Sequence, residues 1–518
     1  MRTKIALATP PTISQRTAEE TLALEYLATV IRNAGYEAAV IDSWLRGIES
    51  KEAVDSMFKG RDTSVICMSC YRSNLDQASE VVRLAKSRAK NMPAICGGYG
   101  PTFHDEEFLK AGFDIAVRGE AEAIFAKLIS VVLGDGNLLS VPGISFIRDG
   151  KIVRTERAEP VANLDELPFP DRDEMQYVIR RKNPVHICTS RGCNGNCAFC
   201  SIAAFNKGVH MARWRGRTIR NIVDEIKSIN ERFGSTHFKF VDDSFIEPPR
   251  DEIWAGEFAD AITNTGLNIR FRTQVRADRL TERFICELKR CGWFATNVGA
   301  ENFSNSALAR MKKPVRAADN FRTLELLWKH GIYTQIGMIM FDDLTTIQEL
   351  ADNYQALLRC DWVVIKGVFT EMFAAKGTAF ATRLENADML GGGGLSQNFT
   401  YEIRDPATRR AYAMLKAWHK SHAALYDKVI DPITAPKVMT DNGYREVHGL
   451  CTKLLEFDVH FFGKVISQIT NDPSDDAEMV ASEIRDASNA HMRISEMING
   501  IYAREGLLYD GSPNPFLA

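Results

Sequence analysis

The sequence predicts an α/β protein in three parts: a doubly wound, Rossmann-like parallel sheet over residues 1–140, a partial (β/α)6 barrel over 181–385 reached through a linker at 141–180, and a mostly helical region over 386–518. Two separate stretches in which short apolar runs alternate with amphipathic ones carry the α/β assignment, because strands alternating with helices build parallel sheets. The third observation is the change of pattern after Gly391-Gly392-Gly393-Gly394. Glycine runs have little helical or strand preference, and the sequence beyond recurs at helical spacing. At 518 residues and 45% hydrophobic content, the chain has apolar surface for two or three cores.

In the first part the strands are Ile5 to Ala8, Ala38 to Ile41, Val65 to Met68, Ala94 to Cys96 and Asp114 to Val117, with helices near Glu19 to Ala34, Leu75 to Lys90 and Ala121 to Val132. Ligands of such sheets bind beyond the carboxyl ends of the strands. The first turn, Thr9-Pro10-Pro11, lacks G-x-G-x-x-G, so the dinucleotide fingerprint is absent. Instead Gly97-Gly98-Tyr99-Gly100-Pro101-Thr102 and Arg118-Gly119-Glu120-Ala121-Glu122 follow strands, and glycines there let backbone approach a flat ligand closely.

The barrel strands are expected at Val185–Cys188, His237–Val241, Ile269–Thr273, Ala295–Gly299, Tyr333–Met340 and Trp362–Phe369, with chemistry in the loops at their carboxyl ends. After the first of them comes Cys193-Asn194-Gly195-Asn196-Cys197-Ala198-Phe199-Cys200. Three cysteinates spaced four and three residues apart wrap one face of an iron–sulfur cube and hold three of its irons, leaving the fourth open to a cofactor. A zinc knuckle is the competing reading of the same thiols, but zinc sites usually show four ligands in separated C-x-x-C pairs.

That C-x-x-x-C-x-x-C loop, with Phe199 before its last cysteine, resembles the cluster signature of the radical S-adenosylmethionine (SAM) superfamily. The G-G-x-x-P-T and R-G-E-A-E turns ahead of it, with Val141-Pro142-Gly143-Ile144 and Leu164 to Asp171, resemble the cobalamin-binding domain and linker of the cobalamin-dependent radical SAM enzymes. The resemblance implies a 4Fe–4S cluster on Cys193, Cys197 and Cys200, and cobalamin (as methylcobalamin) against Thr9, Pro10, Ser69, Cys70, Gly97, Gly98, Tyr99, Arg118, Gly119 and Glu120. It also implies SAM contacts at Asp242, with Asp243 second, for the methionyl amine, at Arg276, and at Glu301 of Gly299-Ala300-Glu301-Asn302. For the two aspartates the competing reading is an acidic helix cap, and for Glu301 a pairing with a neighbouring arginine. The sequence departs from the family where Met340-Phe341-Asp342-Asp343-Leu344-Thr345 replaces G-x-P-x-x-T, and the D-x-H-x-x-G cobalt-ligand motif is missing, so His104 is expected to be a surface or packing histidine.

The resemblance implies reductive cleavage of SAM to a deoxyadenosyl radical, hydrogen removal from an unactivated carbon and methyl supply from methylcobalamin. The expected activity is methylation of a small metabolite or natural-product intermediate, with an electron donor of flavodoxin or ferredoxin type. Two other readings stay open: rearrangement, cyclisation or oxidation with the same cofactors, and a non-catalytic iron–sulfur electron-transfer or sensor protein. A net charge of −3 and pI near 6.4 give no reason to expect nucleic acid or an anionic membrane as partner. No apolar run reaches membrane-spanning length, and eight scattered cysteines beside the cluster trio make no disulfide framework, so a cytoplasmic location is expected. Tyr412, Leu415, His419, His422 and Tyr426 share one face of a predicted helix, more in the manner of a core stripe than of a catalytic set.

Overall fold

The computed structural model describes residues 3–11, 18–60, 63–134, 136–207, 212–391, 398–469 and 475–509. Gly392, Gly393 and Gly394 of the expected glycine linker lie outside the described residues. The first sheet contains β1 (Lys4–Thr9), β2 (Glu37–Asp42), β3 (Val65–Ser69), β4 (Ala94–Gly97), β5 (Ile115–Val117), β6 (Ile144–Arg148) and β7 (Lys151–Arg154) in the order β2-β1-β3-β4-β5-β6-β7. The first five are parallel, and their order reverses at β1 and β3, the switch point where open α/β sheets bind ligands. Strand alternation sends Ala6, Ala8, Ile66 and Met68 into one buried layer and Ile5, Leu7, Val65 and Cys67 into the other, so both faces are covered.

The antiparallel pair β6–β7 extends this sheet out of what the sequence reads as linker. Asp149 and Gly150 both take positive φ, 51° and 70°, in the two-residue turn, the geometry that Asp-Gly favours between hairpin strands. The rest of the connection is tied down by charge. Arg172, buried, donates to Glu20 and to Glu225 at 2.7 Å each, joining the first sheet's loop to a barrel helix through a linker residue.

The second sheet holds β8 (Val185–Ile187), β11 (His237–Phe240), β12 (Arg270–Arg276), β13 (Trp293–Glu301) and β14 (Tyr333–Met338), all parallel, in the order β14-β13-β12-β11-β8. Between them in the chain, β9 (Ser190–Gly192) and β10 (Trp214–Gly216) form a small antiparallel ribbon. The outward faces of the large strands pack Phe238, Phe240, Phe271, Val275 and Ile336 under the covering helices. The sixth expected strand, Trp362–Phe369, shrinks to a single bridge between Gln335 and Val364, because the chain turns away at Gly367, where φ is 88°. Three long helices, Pro406–Thr434, Asp441–Gln468 and Asp476–Glu505, form the last part, and no described helix is long and apolar enough to cross a membrane.

Candidate functional site

One cavity of about 370 Å³ lies beyond the carboxyl ends of β1, β3, β4 and β5 and is walled by both sheets' loops. From the first sheet come Ser69, Gly97, Gly98, Tyr99, Gly119 and Glu120; from the barrel side come Cys188, Arg191, Gly192, Phe205, Asn206 and Asp243. A wall of this type suits a flat ligand. Gly98 has φ of 98° and a side chain there would press on the Cys70 carbonyl at 3.0 Å, while Gly119, with φ of 94°, has open space where a Cβ would stand. Tyr99 is held from both sides: its ring lies 6.4 Å from Tyr71 and 4.9 Å from Phe205, which belongs to the short helix Ser201–Phe205 after the last cluster cysteine.

Six of the ten expected cobalamin contacts therefore line this cavity, and four do not. Thr9 turns its hydroxyl to Asp42 (2.9 Å), and neither it nor Pro10 is part of the wall. Cys70 is buried behind Gly98, and Arg118 is drawn off by the carbonyls of Ile144 and Thr155 on the β6–β7 hairpin. His104 pairs with Glu107 (2.8 Å) within its own helix and is not among the wall residues.

The cysteine loop runs from β9, whose Arg191 and Gly192 line the cavity, to the helix of Ile202 and Phe205, which also line it, while Cys193, Cys197 and Cys200 are not among the lining residues. Cys193, Cys197 and Cys200 are all part-exposed, and burial raises their thiols, Cys193 to about 11, so a metal bound there would have to supply the driving force for deprotonation. A Cβ at Gly195 would sit 3.3 Å from the Cys193 sulfur and 3.8 Å from that of Cys197, so the glycine keeps the space between two thiols clear. Among the described residues no three His, Cys, Asp or Glu side chains converge as on a single ion. Cys188 is no fourth ligand: its sulfur donates to the Ser190 carbonyl and lines the cavity.

Two cations flank these thiols. Arg276 Nη1 would lie 3.6 Å from a Gly195 Cβ and is fixed by Asp278 (2.7 Å) and Glu247 (3.2 Å). Lys313, almost fully buried, pairs with Glu301 at 2.9 Å, so the neighbouring cation beside Glu301 is a lysine and not the arginine of the competing reading. Both cations favour thiolate at Cys197. Glu247, whose Oε1 meets the Cys193 sulfur at 3.4 Å, carries no motif that marks it in the sequence; only the folded loop brings it there.

Asp242 departs from its expected role. Fully buried, it accepts from the Thr189 amide (2.7 Å), the Ser190 amide (3.0 Å) and hydroxyl (2.9 Å), and the Thr189 hydroxyl, with Arg250 3.5 Å away. Every lone pair faces a donor, so the carboxylate staples the start of the cluster loop and has no oxygen left for an amine. Asp243 is different: one oxygen accepts from the Gly192 amide at 2.9 Å, and the residue lines the cavity. Burial raises its carboxyl to about 6. Between cavity and cluster, Arg191 donates to Glu120 (2.9 Å) and Glu122 (2.7 Å), tying the R-G-E-A-E turn to the cluster loop. Asp342 and Asp343, the departures at the fifth strand, are taken up by Arg310 and Arg383.

Residues 13–129 match the B12 binding domain family and residues 187–353 the Radical SAM superfamily. The uncharacterized methyltransferase PH0819 of Pyrococcus horikoshii is 27% identical over 355 residues, 66% of this chain and 75% of that one. An anaerobic magnesium-protoporphyrin IX monomethyl ester cyclase of Synechocystis sp. is 28% identical over 353 residues, 64% of this chain and 67% of that one. The cobalamin-dependent S-adenosylmethionine radical enzyme OxsB, solved with aqua-cobalamin and S-adenosylmethionine bound, matches 99% of this chain and 84% of that one with a TM-score of 0.79; at 16% identity the likeness is one of fold.

Proposed function

Because the chain joins a B12 binding domain to a radical SAM domain, and so belongs with the cobalamin-dependent radical SAM enzymes, we propose that it is a methyltransferase acting on an unactivated carbon of a small metabolite or natural-product intermediate. Its cofactors are a 4Fe–4S cluster, SAM and cobalamin. The observation that supports the reading is a cavity walled by the glycine turns of one domain and, in the other, by the segments on either side of the cysteine loop, Arg191–Gly192 and Ile202–Asn206. Two centres that must act on one substrate gain most from being held in a single enclosed space, since orientation supplies much of the rate. When bound, the cluster and SAM supply one-electron bond cleavage, and the corrin supplies a transferable methyl group.

The chain's own residues supply placement. Cys193, Cys197 and Cys200 take three irons. Arg276 and the Glu301–Lys313 pair, beside the loop, would meet the carboxylate and amine of SAM, a reading supported by their ion pairs next to the cysteines. Tyr99 and Phe205 form an aromatic contact between the domains at the edge of the cavity. The electron donor is of flavodoxin or ferredoxin type.

The test is incubation of the anaerobically reconstituted enzyme with methyl-labelled SAM and candidate substrates. Label in the product supports methyl transfer; deoxyadenosine formed with an altered but unlabelled product replaces it by rearrangement or ring closure, a reading that the cyclase relative favours. The electron-carrier reading has less support, since a carrier cluster normally takes four protein ligands and this loop offers three.

A further inference from the structure

A flat ligand resting on the glycine turns of the first sheet would show its other face to the barrel side of the cavity. The polar side chains on that side are Cys188, Arg191, Asn206 and Asp243. Cys188 is spent on the Ser190 carbonyl, and Arg191 is held by Glu120 and Glu122. Asp243 has one oxygen on the Gly192 amide, and its other oxygen has no hydrogen-bond partner among the described residues. Its neighbour Asp242 is instead spent on the staple under Thr189 and Ser190. The pair thus divides its work: one carboxylate builds the loop, and the other is left facing the corrin space.

We propose that Asp243 faces the outer side of the bound corrin and accepts a hydrogen bond from the ligand on its metal, rather than contacting SAM. The inference rests on the cobalamin reading given above. The charged and titratable groups around Asp243 are Asp242 beside it, Glu120 and Glu122 after β5, Arg191 on β9, Arg215 on β10, Tyr99 after β4, Tyr26 of helix Leu22–Asn33, and Cys188 and Cys200 flanking the loop. Among them Arg191 and Arg215 are each engaged by Glu120.

A carboxylate that accepts from a metal-bound water favours the water over hydroxide, because the hydrogen bond is lost and like charges meet when the proton leaves. The protein is loaded with hydroxocobalamin, washed, and its absorption followed from pH 6 to 10, with free aquacobalamin in the same buffer as reference. Asp243→Asn is expected to lower the aqua-to-hydroxo midpoint of the bound corrin by about one pH unit, a tenfold change. Equal midpoints with corrin bound to both proteins would overturn the assignment and leave the two-cofactor reading standing. Failure of the unaltered protein to retain any corrin would overturn both. Should Asp243→Asn release Gly192 and lose the corrin, Asp243→Glu and Asp243→Ser make the comparison: glutamate keeps the higher midpoint and serine lowers it, and equal values for the two refute the contact.

Discussion

Replacing Asp242 with alanine separates its observed role from the one its position suggests. The substitution removes the acceptor of the Thr189 and Ser190 amides and of both their hydroxyls, and takes the carboxylate from Arg250, a buried guanidinium enclosed by Trp214, Phe245 and Trp254. Each buried amide left without an acceptor costs about 1–3 kcal/mol. Arg250 keeps bonds to the Thr189 and Phe245 carbonyls, which softens the loss of its ion pair. The total is about 3 kcal/mol or more, which favours an opened cluster loop by about a hundredfold. The expected result is loss of most iron and sulfide after anaerobic reconstitution, with a lower denaturation midpoint of the metal-free chain. Asp242→Asn, which keeps the shape and one acceptor oxygen, should recover part of both. An alanine variant with full iron content and unaltered stability that fails only in the SAM-dependent change of the reduced cluster's electron paramagnetic resonance spectrum would refute the staple and restore the amine contact.

Cys197→Ala should abolish cluster assembly while corrin binding persists; iron analysis and the visible spectrum read the two separately. Gly192→Ala should also lose the cluster, since φ is 86° and the added Cβ runs into the Arg213 carbonyl across the β9–β10 ribbon; a normal iron content would contradict this. In the helical region, His422→Ala removes the imidazole 3.1 Å from the buried Asp458 carboxylate, which keeps the Trp418 indole N–H at 2.6 Å, and should cost about 1–3 kcal/mol in urea unfolding, with deoxyadenosine formation by the folded fraction preserved. Asp105 fastens the β6–β7 hairpin through Ser145 and Arg154, both at 2.7 Å. Burial raises its carboxyl, but the bonds from Arg154 and Ser145 outweigh that and hold it below the usual range. Its contribution is complete above the ordinary carboxylate pKa and is lost as pH falls through the lowered folded value, so hydrogen exchange of residues 144–154 should quicken in acid, and Asp105→Asn should remove that pH dependence.

Short-range chemistry was legible from the chain. The cysteine spacing, the glycine turns after β4 and β5 and the apolar alternation of each strand depend on residues close in sequence, where geometry leaves few choices. The hairpin at Asp149-Gly150 belongs in the same class, since its turn signal is local, although it falls in what reads as linker. Partnerships across the chain were not legible. Asp242 and Asp243 sit in the same turn with the same side chain, and only the positions of Thr189, Ser190 and Gly192, about fifty residues away, make one a staple and the other a cavity wall. Arg118 looked like a ligand contact until the hairpin offered it two carbonyls, and Glu247 and Lys313 gained their places beside the thiols only through the closure of the barrel. The sequence by itself determined which backbone shapes the protein has and which closely spaced thiols it offers, because those follow from local sterics and spacing. The tertiary structure decided which charges are spent on each other and which remain for a cofactor, because that depends on distances no local rule contains.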